Sequence, residues 1–404
     1  SYDGMSTRHI LFVETEGTAL QTFARTLSGT HDDWQIVRVA EPDAALEILS
    51  QRVFSVLIAS FGKQHGECDT FLRQVQTRTP AVIRFALSPE PTEDAAPPML
   101  ESACQCFPVS CAATELVIAI RRGLRVWQRC RDNTPLTNLL SELRTLPTPP
   151  RLYFEIRDEL DSATSDARSV AQILARDPAL TAKLLKIANS GYYALPRSVT
   201  DIRDAVTFLG TDVVTSLVLA THVFDRMPAP GVNLDALWKH SLTASALARH
   251  VAAQEGGDRL TITTAGIAGL LHDIGQLVLL ANAPDVYYPM LRCAGGDENM
   301  LLGMELDQFG TTHAELGSHV LALWSLPEAV VEAVALHHDC SRYATETVAV
   351  TNKAVFVAEW FLQYPSDHDD AESRSKELES YLDSPRGSIR DWQQACEQLL
   401  AKSA

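Results

Sequence analysis

Along the N-terminal third of the chain, short unbroken apolar runs alternate with segments whose apolar residues recur every three or four positions. His9-Ile10-Leu11-Phe12-Val13 is such a run, as are Val53 to Ala59 and Ala81 to Leu87, and each predicts a strand buried on both faces. Glu41 to Leu49 sets Ala45, Leu46 and Leu49 on one face, and Thr114 to Val126 carries a Leu/Val/Ile stripe; both predict helices. Strands alternating with helices predict a parallel sheet wound on both sides, with function at the carboxyl ends of its strands. The helical pattern of Leu116 to Cys130 is interleaved and followed by Arg121, Arg122, Arg125, Arg129 and Arg131. These arginines read as a solvated face suited to a helix C-terminus, or as a surface for an acidic partner.

The pattern changes near residue 132. Leu146-Pro147-Thr148-Pro149-Pro150 breaks the periodicity, because proline cannot extend a helix. From Phe154 onward the spacing is helical throughout. Asp177 stands before Pro178 as a cap before a first-turn proline, and Asp201 opens a second helix that Gly210 closes. Charge then dominates from Ser366 until Ile389 to Leu400, where Trp392, Ala395, Leu399 and Leu400 return at helical spacing. That stripe predicts a helix packed on the preceding helical region, with an interaction or dimer helix as the alternative.

Length and charge narrow the setting. A chain of 404 residues exceeds one ordinary core, so two or three domains are expected. With 51 acidic against 34 basic residues and a formal charge of −17, most of the surface repels nucleic-acid backbones. Eight cysteines without a CxxC pair, no signal-peptide pattern and no apolar run long enough to cross a bilayer predict a protein of the reducing cytoplasm, without membrane insertion. Ser1 to Gly4, ahead of Met5, are left out of the fold argument.

The candidate chemistry lies in the C-terminal half, at His240, His272-Asp273, His313 and His337-His338. Imidazole and carboxylate together hold divalent metals, and such metals activate water against phosphodiesters. Singly, each position has a plain reading. His240 suits a hydrogen-bonded core histidine, His313 a helix cap, and His337-His338 a protonated pair at a helix end. His272-Asp273 is harder to explain away, since it interrupts the apolar run from Ile267 to Leu280 and buried polar groups are costly without partners.

Two resemblances organise these residues. The N-terminal region resembles a response-regulator receiver domain. Ile10 to Glu16 occupies the first strand and acidic cluster, so Glu14 and Glu16 stand for its carboxylates. Val56-Leu57-Ile58-Ala59-Ser60 places Ser60 where that family has its phosphoacceptor aspartate; Ser88 matches the switch hydroxyl and Val109 replaces the lysine. The resemblance thus implies a receiver without nucleophile or cation, acting by docking or dimerisation. An unrelated flavodoxin-like domain, or an offset in which Asp69 is the acceptor, are the alternatives.

The second resemblance covers residues 136 to 362. Asp177-Pro178-Ala179-Leu180-Thr181, Ala188-Asn189-Ser190, Ala205 to Gly210 and Gly269-Leu270-Leu271-His272-Asp273-Ile274-Gly275 resemble the HDOD domain, an all-helical two-lobed module related to HD-GYP metal phosphodiesterases. By carry-over, Asp273 would bridge two metals, His240 and His272 holding one and His313, His337 and His338 the other, with Glu359 as the later acidic ligand. Fe, Mn, Zn or Ni are the cations implied. Gln276 stands where a lysine commonly follows, and Asp339-Cys340 follows His337-His338 in place of Gly-Tyr-Pro. Three domains are therefore expected: a degenerate five-stranded α/β receiver at 5–131, an all-α HDOD domain at 132–365 with lobes 136–230 and 231–365, and a tail at 366–404. The function implied is a bacterial signalling adaptor that works through protein-protein contacts with members of two-component or cyclic-di-GMP pathways and can homodimerise. A metal-dependent phosphodiesterase acting on a cyclic dinucleotide or other nucleotide is the competing expectation, and nucleotide binding without hydrolysis a third.

Overall fold

The computed structural model describes residues 8–15, 34–61, 65–88, 105–109, 133–143, 149–160, 165–193, 198–226, 232–324, 326–339, 346–363, 371–382 and 388–403, with single positions between them. Glu16, residues 146–148, six of the thirteen positions of the helix expected over Thr114 to Val126, and Cys340 to Tyr343 lie outside the described residues, as does the Ser88 side chain; the other seven positions of that helix are helical. The chain divides into two compact units, Ser1–Thr148 with 309–311 and 319–325, and the remainder.

The first unit is built on a five-stranded parallel sheet of β1 (Arg8–Glu14), β2 (Trp34–Val39), β3 (Val56–Ser60), β4 (Ile83–Ser88) and β5 (Gln105–Pro108), in the order β2-β1-β3-β4-β5. This is a doubly wound order with its switch point between β1 and β3. Helices α1 (Pro42–Gln51), α2 (His65–Arg78) and α3 (Thr134–Glu142) complete the described elements of this unit. The apolar runs read from the sequence are the central strands, and Ala45, Leu46 and Leu49 are the buried face of α1 as expected. Strand β2 was not legible. It is an edge strand in which the exposed Gln35 and Arg38 interrupt partly buried positions, so it lacks a continuous apolar run. On the carboxyl edge, Glu14 is in register with Ser60, which is buried. Val109 follows β5 and is half-buried.

The second unit is all helical. It comprises α4 (Arg151–Leu160), α5 (Ala167–Leu174), α6 (Pro178–Ala188), α7 (Ile202–Leu209), α8 (Thr211–Arg226), α9 (Leu234–Gln254), α10 (Arg259–Leu271), α11 (Ile274–Asn282), α12 (Pro284–Ala294), α13 (Glu298–Phe309), α14 (His313–Leu323, whose last turns group with the first unit), α15 (Glu328–Ala335), α16 (Glu346–Gln363), α17 (Ala371–Tyr381) and α18 (Ile389–Ser403). The caps read from the sequence are present: Asp177 accepts from Leu180 N–H, Asp201 accepts from Arg203 N–H, and Gly210 ends α7 at φ 88°. Trp392 of α18 is fully buried and that helix packs on α9, as its stripe predicted.

The central helices are held unusually close by glycine. A Cβ at Gly269 would stand 2.8 Å from the Ala244 carbonyl oxygen, so α10 meets α9 backbone to backbone. A Cβ at Gly275 would stand 1.9 Å from the His313 carbonyl oxygen and 3.0 Å from Gly317 N, so the first turn of α11 lies against the first turn of α14. The stretch 259–282, broken only at His272-Asp273, is by length and composition apolar enough to cross a membrane, which corrects the expectation that no such run exists. Its most apolar window is 94% buried among the other helices.

Two substitutions test this packing. Gly275→Ala should destabilise the protein by at least ~1–3 kcal/mol, the cost of overpacking against atoms that cannot yield. Gly303→Ala, at a helical position with open space around it, should stabilise by ~0.5–1 kcal/mol. Urea melts of both variants check the pair.

A candidate dinuclear metal centre

The glycine contacts bring together residues from six helices or helix ends. His240 lies two turns into α9, which Asn233 caps by accepting from Ala236 N–H. His272 and Asp273 form the joint between α10 and α11; His313 begins α14; His337 and His338 follow the end of α15; and Glu359 comes from α16. All seven are the positions expected from the sequence, and the structure gathers them at one place.

Asp273 is at the centre, with one oxygen facing each half. Its Oδ2 lies 3.2 Å from His272 Nε2 and 3.5 Å from His240 Nε2, while its Oδ1 lies 3.4 Å from His313 Nε2 and 3.8 Å from His337 Nε2. Glu359 Oε2 stands 3.0 Å from His272 Nε2 and 3.2 Å from His240 Nε2. His338 Nε2 is 3.0 Å from His313 Nε2. Two groups of convergent donor atoms result: His240, His272 and Asp273, and His313, His337 and His338. Separations of 3.0–3.8 Å between donors are the edges of a coordination shell whose bonds are ~2.0–2.2 Å.

The outer contacts orient the rings. His272 Nδ1 is 2.8 Å from Gly269 O and His337 Nδ1 is 2.7 Å from Val334 O. A carbonyl only accepts, so Nδ1 carries the proton in both and Nε2 points inward, the arrangement metal-ligating histidines use. His313 Nδ1 is 2.9 Å from Glu305 Oε1, and its backbone N–H donates to Glu305 Oε2. Tyr287 in turn donates to Glu305 at 2.5 Å. Gln276 donates to Asp273 Oδ1 at 3.0 Å. The position read as a lost lysine therefore still supplies a donor, now to the central carboxylate of Asp273.

The electrostatics fit cations. His337 Nε2, Glu359 Oε2 and Glu298 Oε2 are buried without a hydrogen-bond partner, a condition that costs free energy unless something positive fills it. Protons on neighbouring groups compensate part of this charge. Burial works against a charge on His272 and His313, yet the Asp273, Glu359 and Glu305 carboxylates outweigh it, lifting His272 well above its usual range and His313 to about 10. Asp273 is held low against burial by His272 and His313, and Glu359 by His240 and His272. His337 is pushed well down and His338 to about 4, by burial first and by neighbouring histidines next. This corrects the reading of His337-His338 as a protonated pair at a helix end: both are neutral with available lone pairs. His313 does open α14, but its ring is held by Glu305 and does not cap.

Three residues were missed in the sequence: Glu298, Glu305 and Tyr287. They lie on α12 and α13, whose patterns show no interrupted apolar run, so no local signal marked them. In the first unit, Asp69 lies within α2, paired with Arg73 at 3.1 Å, and so is not at a strand end, whereas Ser60 is the last residue of β3.

Residues 146–340 match the model of the HDOD domain, so this part of the chain is an HDOD domain. A solved HDOD domain protein of unknown function from Geobacter sulfurreducens is 24% identical, covering 67% of this chain and 96% of that one, with a TM-score of 0.54. A solved protein of Shewanella amazonensis SB2B, carrying a provisional phosphohydrolase name, is 22% identical over 67% of this chain and 95% of its own, with a TM-score of 0.52. An uncharacterized protein of Treponema pallidum is 23% identical over 227 residues, 54% of this chain and 44% of that relative, so less than half of the relative is matched.

Raised pKa values set the sign of a pH dependence. His313 goes from 6.5 to about 10 and Glu298 from 4.5 to about 8 on folding, so the protonated forms contribute stability that fades as pH climbs through those folded values. The melting temperature of metal-free protein should therefore fall as pH rises from about 6.5 to 10. Divalent cations displace the same protons, so their affinity should rise with pH, and calorimetry in buffers of different ionisation enthalpy should detect proton release.

Proposed function

We propose that this is a signalling protein whose HDOD domain holds two divalent cations, one on each side of Asp273, and hydrolyses a phosphoester of the nucleotide class. The observation that carries the reading is the convergence of inward-facing Nε2 atoms and unpartnered carboxylate oxygens around one bridging aspartate. His240, His272 and Glu359 would hold one cation with Asp273 Oδ2, and His313, His337 and His338 the other with Asp273 Oδ1. When bound, paired divalent cations activate water and neutralise charge on a phosphoryl group in transfer. The chain's own part is positioning. Gly269, Val334 and Glu305 fix the imidazole tautomers, Gln276 holds Asp273 in its bridging orientation, and Gln363 donates to Glu359 Oε1 at 3.2 Å, leaving Oε2 to the centre. Mixed imidazole and carboxylate donors suit Fe, Mn, Zn or Ni. The phosphohydrolase name borne by a protein of similar fold agrees with this reading.

The N-terminal unit is a receiver-like docking domain in this proposal. The doubly wound strand order supports it, and the hydroxyl of Ser60 in place of a carboxylate argues against phosphoryl transfer onto it. Its partners would be other proteins of two-component or cyclic-di-GMP signalling. A second reading, in which the HDOD domain gathers partners without catalysis, is favoured by Gln276, which adds no positive charge, and by Asp339 in place of a Gly-Tyr-Pro sequence.

Elemental analysis after reconstitution with Mn, Fe, Zn or Ni should find two equivalents per chain. The loaded protein should cleave bis(p-nitrophenyl) phosphate or cyclic-di-GMP. Asp273→Asn should lower both metal content and turnover by more than the ~10–100-fold that loss of an outer-shell partner costs. Two bound cations with no turnover on any nucleotide would leave the adaptor reading standing. Beryllofluoride with Mg²⁺ should leave the protein's elution and melting unchanged; a shift would mean that the first unit accepts a phosphoryl mimic.

A further inference from the structure

The two halves of the centre are unequal, and Glu298 accounts for the difference. Glu298 is the first residue of α13, and neither the receiver nor the HDOD resemblance assigns it a role. Gly295 and Gly296, at φ 57° and 95°, turn the chain out of α12. Asp297 then starts α13 by accepting from the N–H of Met300. Two turns later the same helix supplies Glu305, so Glu298 and Glu305 fall on one face, and both are directed at the half formed by His313, His337 and His338. Glu305 is fully used, by the His313 ring, the His313 amide and Tyr287. Glu298 is not. Its Oε2 is buried, has no hydrogen-bond partner and stands 3.8 Å from His338 Nε2.

A carboxylate oxygen kept from water without a donor is a liability unless a cation compensates it. The distance to His338 is one edge of a shared coordination shell. Charge counting agrees: Asp273, Glu298, Glu305 and Glu359 together carry four negative charges when the five histidines are neutral, the number two divalent cations neutralise.

We propose that Glu298 is a direct ligand of the cation held by His313, His337 and His338, completing a set of three imidazoles and two carboxylates on that side. This rests on the two-cation reading above. The other side, with His240, His272, Asp273 and Glu359, has fewer protein donors and keeps open positions for water and a phosphoryl group, the usual feature of a catalytic as opposed to a closed site. The cation beside Glu298 is accordingly the tighter one, and the cation beside His240 is the exchangeable one.

The test is stepwise Mn²⁺ binding to full-length protein, followed by calorimetry and by electron paramagnetic resonance, comparing the parent with Glu298→Gln and Glu298→Asp. Two Mn²⁺ bind the parent with separable affinities and show exchange coupling. Glu298→Gln weakens one equivalent by at least ~10-fold, the scale of even an outer-shell loss, with the other unchanged. Glu298→Asp recovers part of it. Metal-free Glu298→Gln melts no lower than the parent, which separates ligand loss from misfolding. Wild-type affinity for both equivalents in Glu298→Gln overturns the assignment, as does equal weakening of both, which marks a through-space charge effect. A parent that binds no Mn²⁺, Zn²⁺ or Fe²⁺ overturns the two-cation reading itself, and this inference with it.

Discussion

Everything chemical in the helical unit depends on the backbone contact at Gly275. The first turn of α11 and the first turn of α14 approach so closely that a single methyl group would overlap the His313 carbonyl. That contact sets Asp273, at the head of α11, beside the His313 ring, and so ties the two halves of the centre together. The matching contact at Gly269 does the same on the other side, drawing α10 onto α9 so that His272 Nε2 reaches to 3.1 Å from His240 Nε2. Side chains in a close-packed interior transmit such constraints with little slack. The imidazole and carboxylate atoms therefore converge through helix packing, without long or flexible arms, which is the kind of positioning the proposed two-cation centre would need.

The same packing creates an electrostatic debt. Burying Asp273, Glu305 and Glu359 beside His272, His313 and His337 leaves each charge reliant on its neighbours, because almost no water reaches them. In the metal-free state protons on His272 and His313 answer the carboxylates. Protons, however, cannot satisfy every donor atom. His337 Nε2 remains bare beside its imidazole neighbours, and Glu359 Oε2 lies near two imidazole nitrogens without hydrogen-bond geometry to either. A structural core network would satisfy its members mutually. This one is complete in its outer layer, where every Nδ1 of the three buried rings is held, and incomplete in its inner layer. That division is what the proposed two-cation centre would leave when metal-free.

Much of this was legible in the sequence, for reasons that differ by element. The strands β1, β3 and β4 could be read because central parallel strands are apolar on both faces, whereas β2 could not, because as an edge strand it carries the exposed Gln35 and Arg38. Helices α6 and α7 announced themselves by their caps, Asp177 and Asp201. The seven candidate ligands were legible as an ordered series through a family resemblance, and Asp273 and His272 also by the cost of polar groups inside an apolar run. Glu298 and Glu305 were not, since acidic residues on a polar helix look solvated until the helix is docked. Gln276 was legible as a departure but its consequence was misjudged. The resemblance implies a missing cation, and only the structure shows an amide donor directed at Asp273.

That exchange at position 276 bears on what the centre acts upon. A lysine at this place would carry a full positive charge, available to a phosphoryl oxygen and repelled by two bound cations. Glutamine supplies one hydrogen bond, directed at Asp273, and adds no charge to the site. Binding of an anionic substrate would then rest more heavily on the cations themselves, and on the side at His240, whose ring is 27% exposed against 14% for His338 and none for His272, His313 and His337. In the proposed centre, the greater access at His240 would leave one cation room to exchange water, while the other, with more ligands, would hold the geometry. In the proposed two-cation centre, the sequence departures that first suggested lost catalysis would equally be the features of a site whose positive charge comes from metal and not from a side chain.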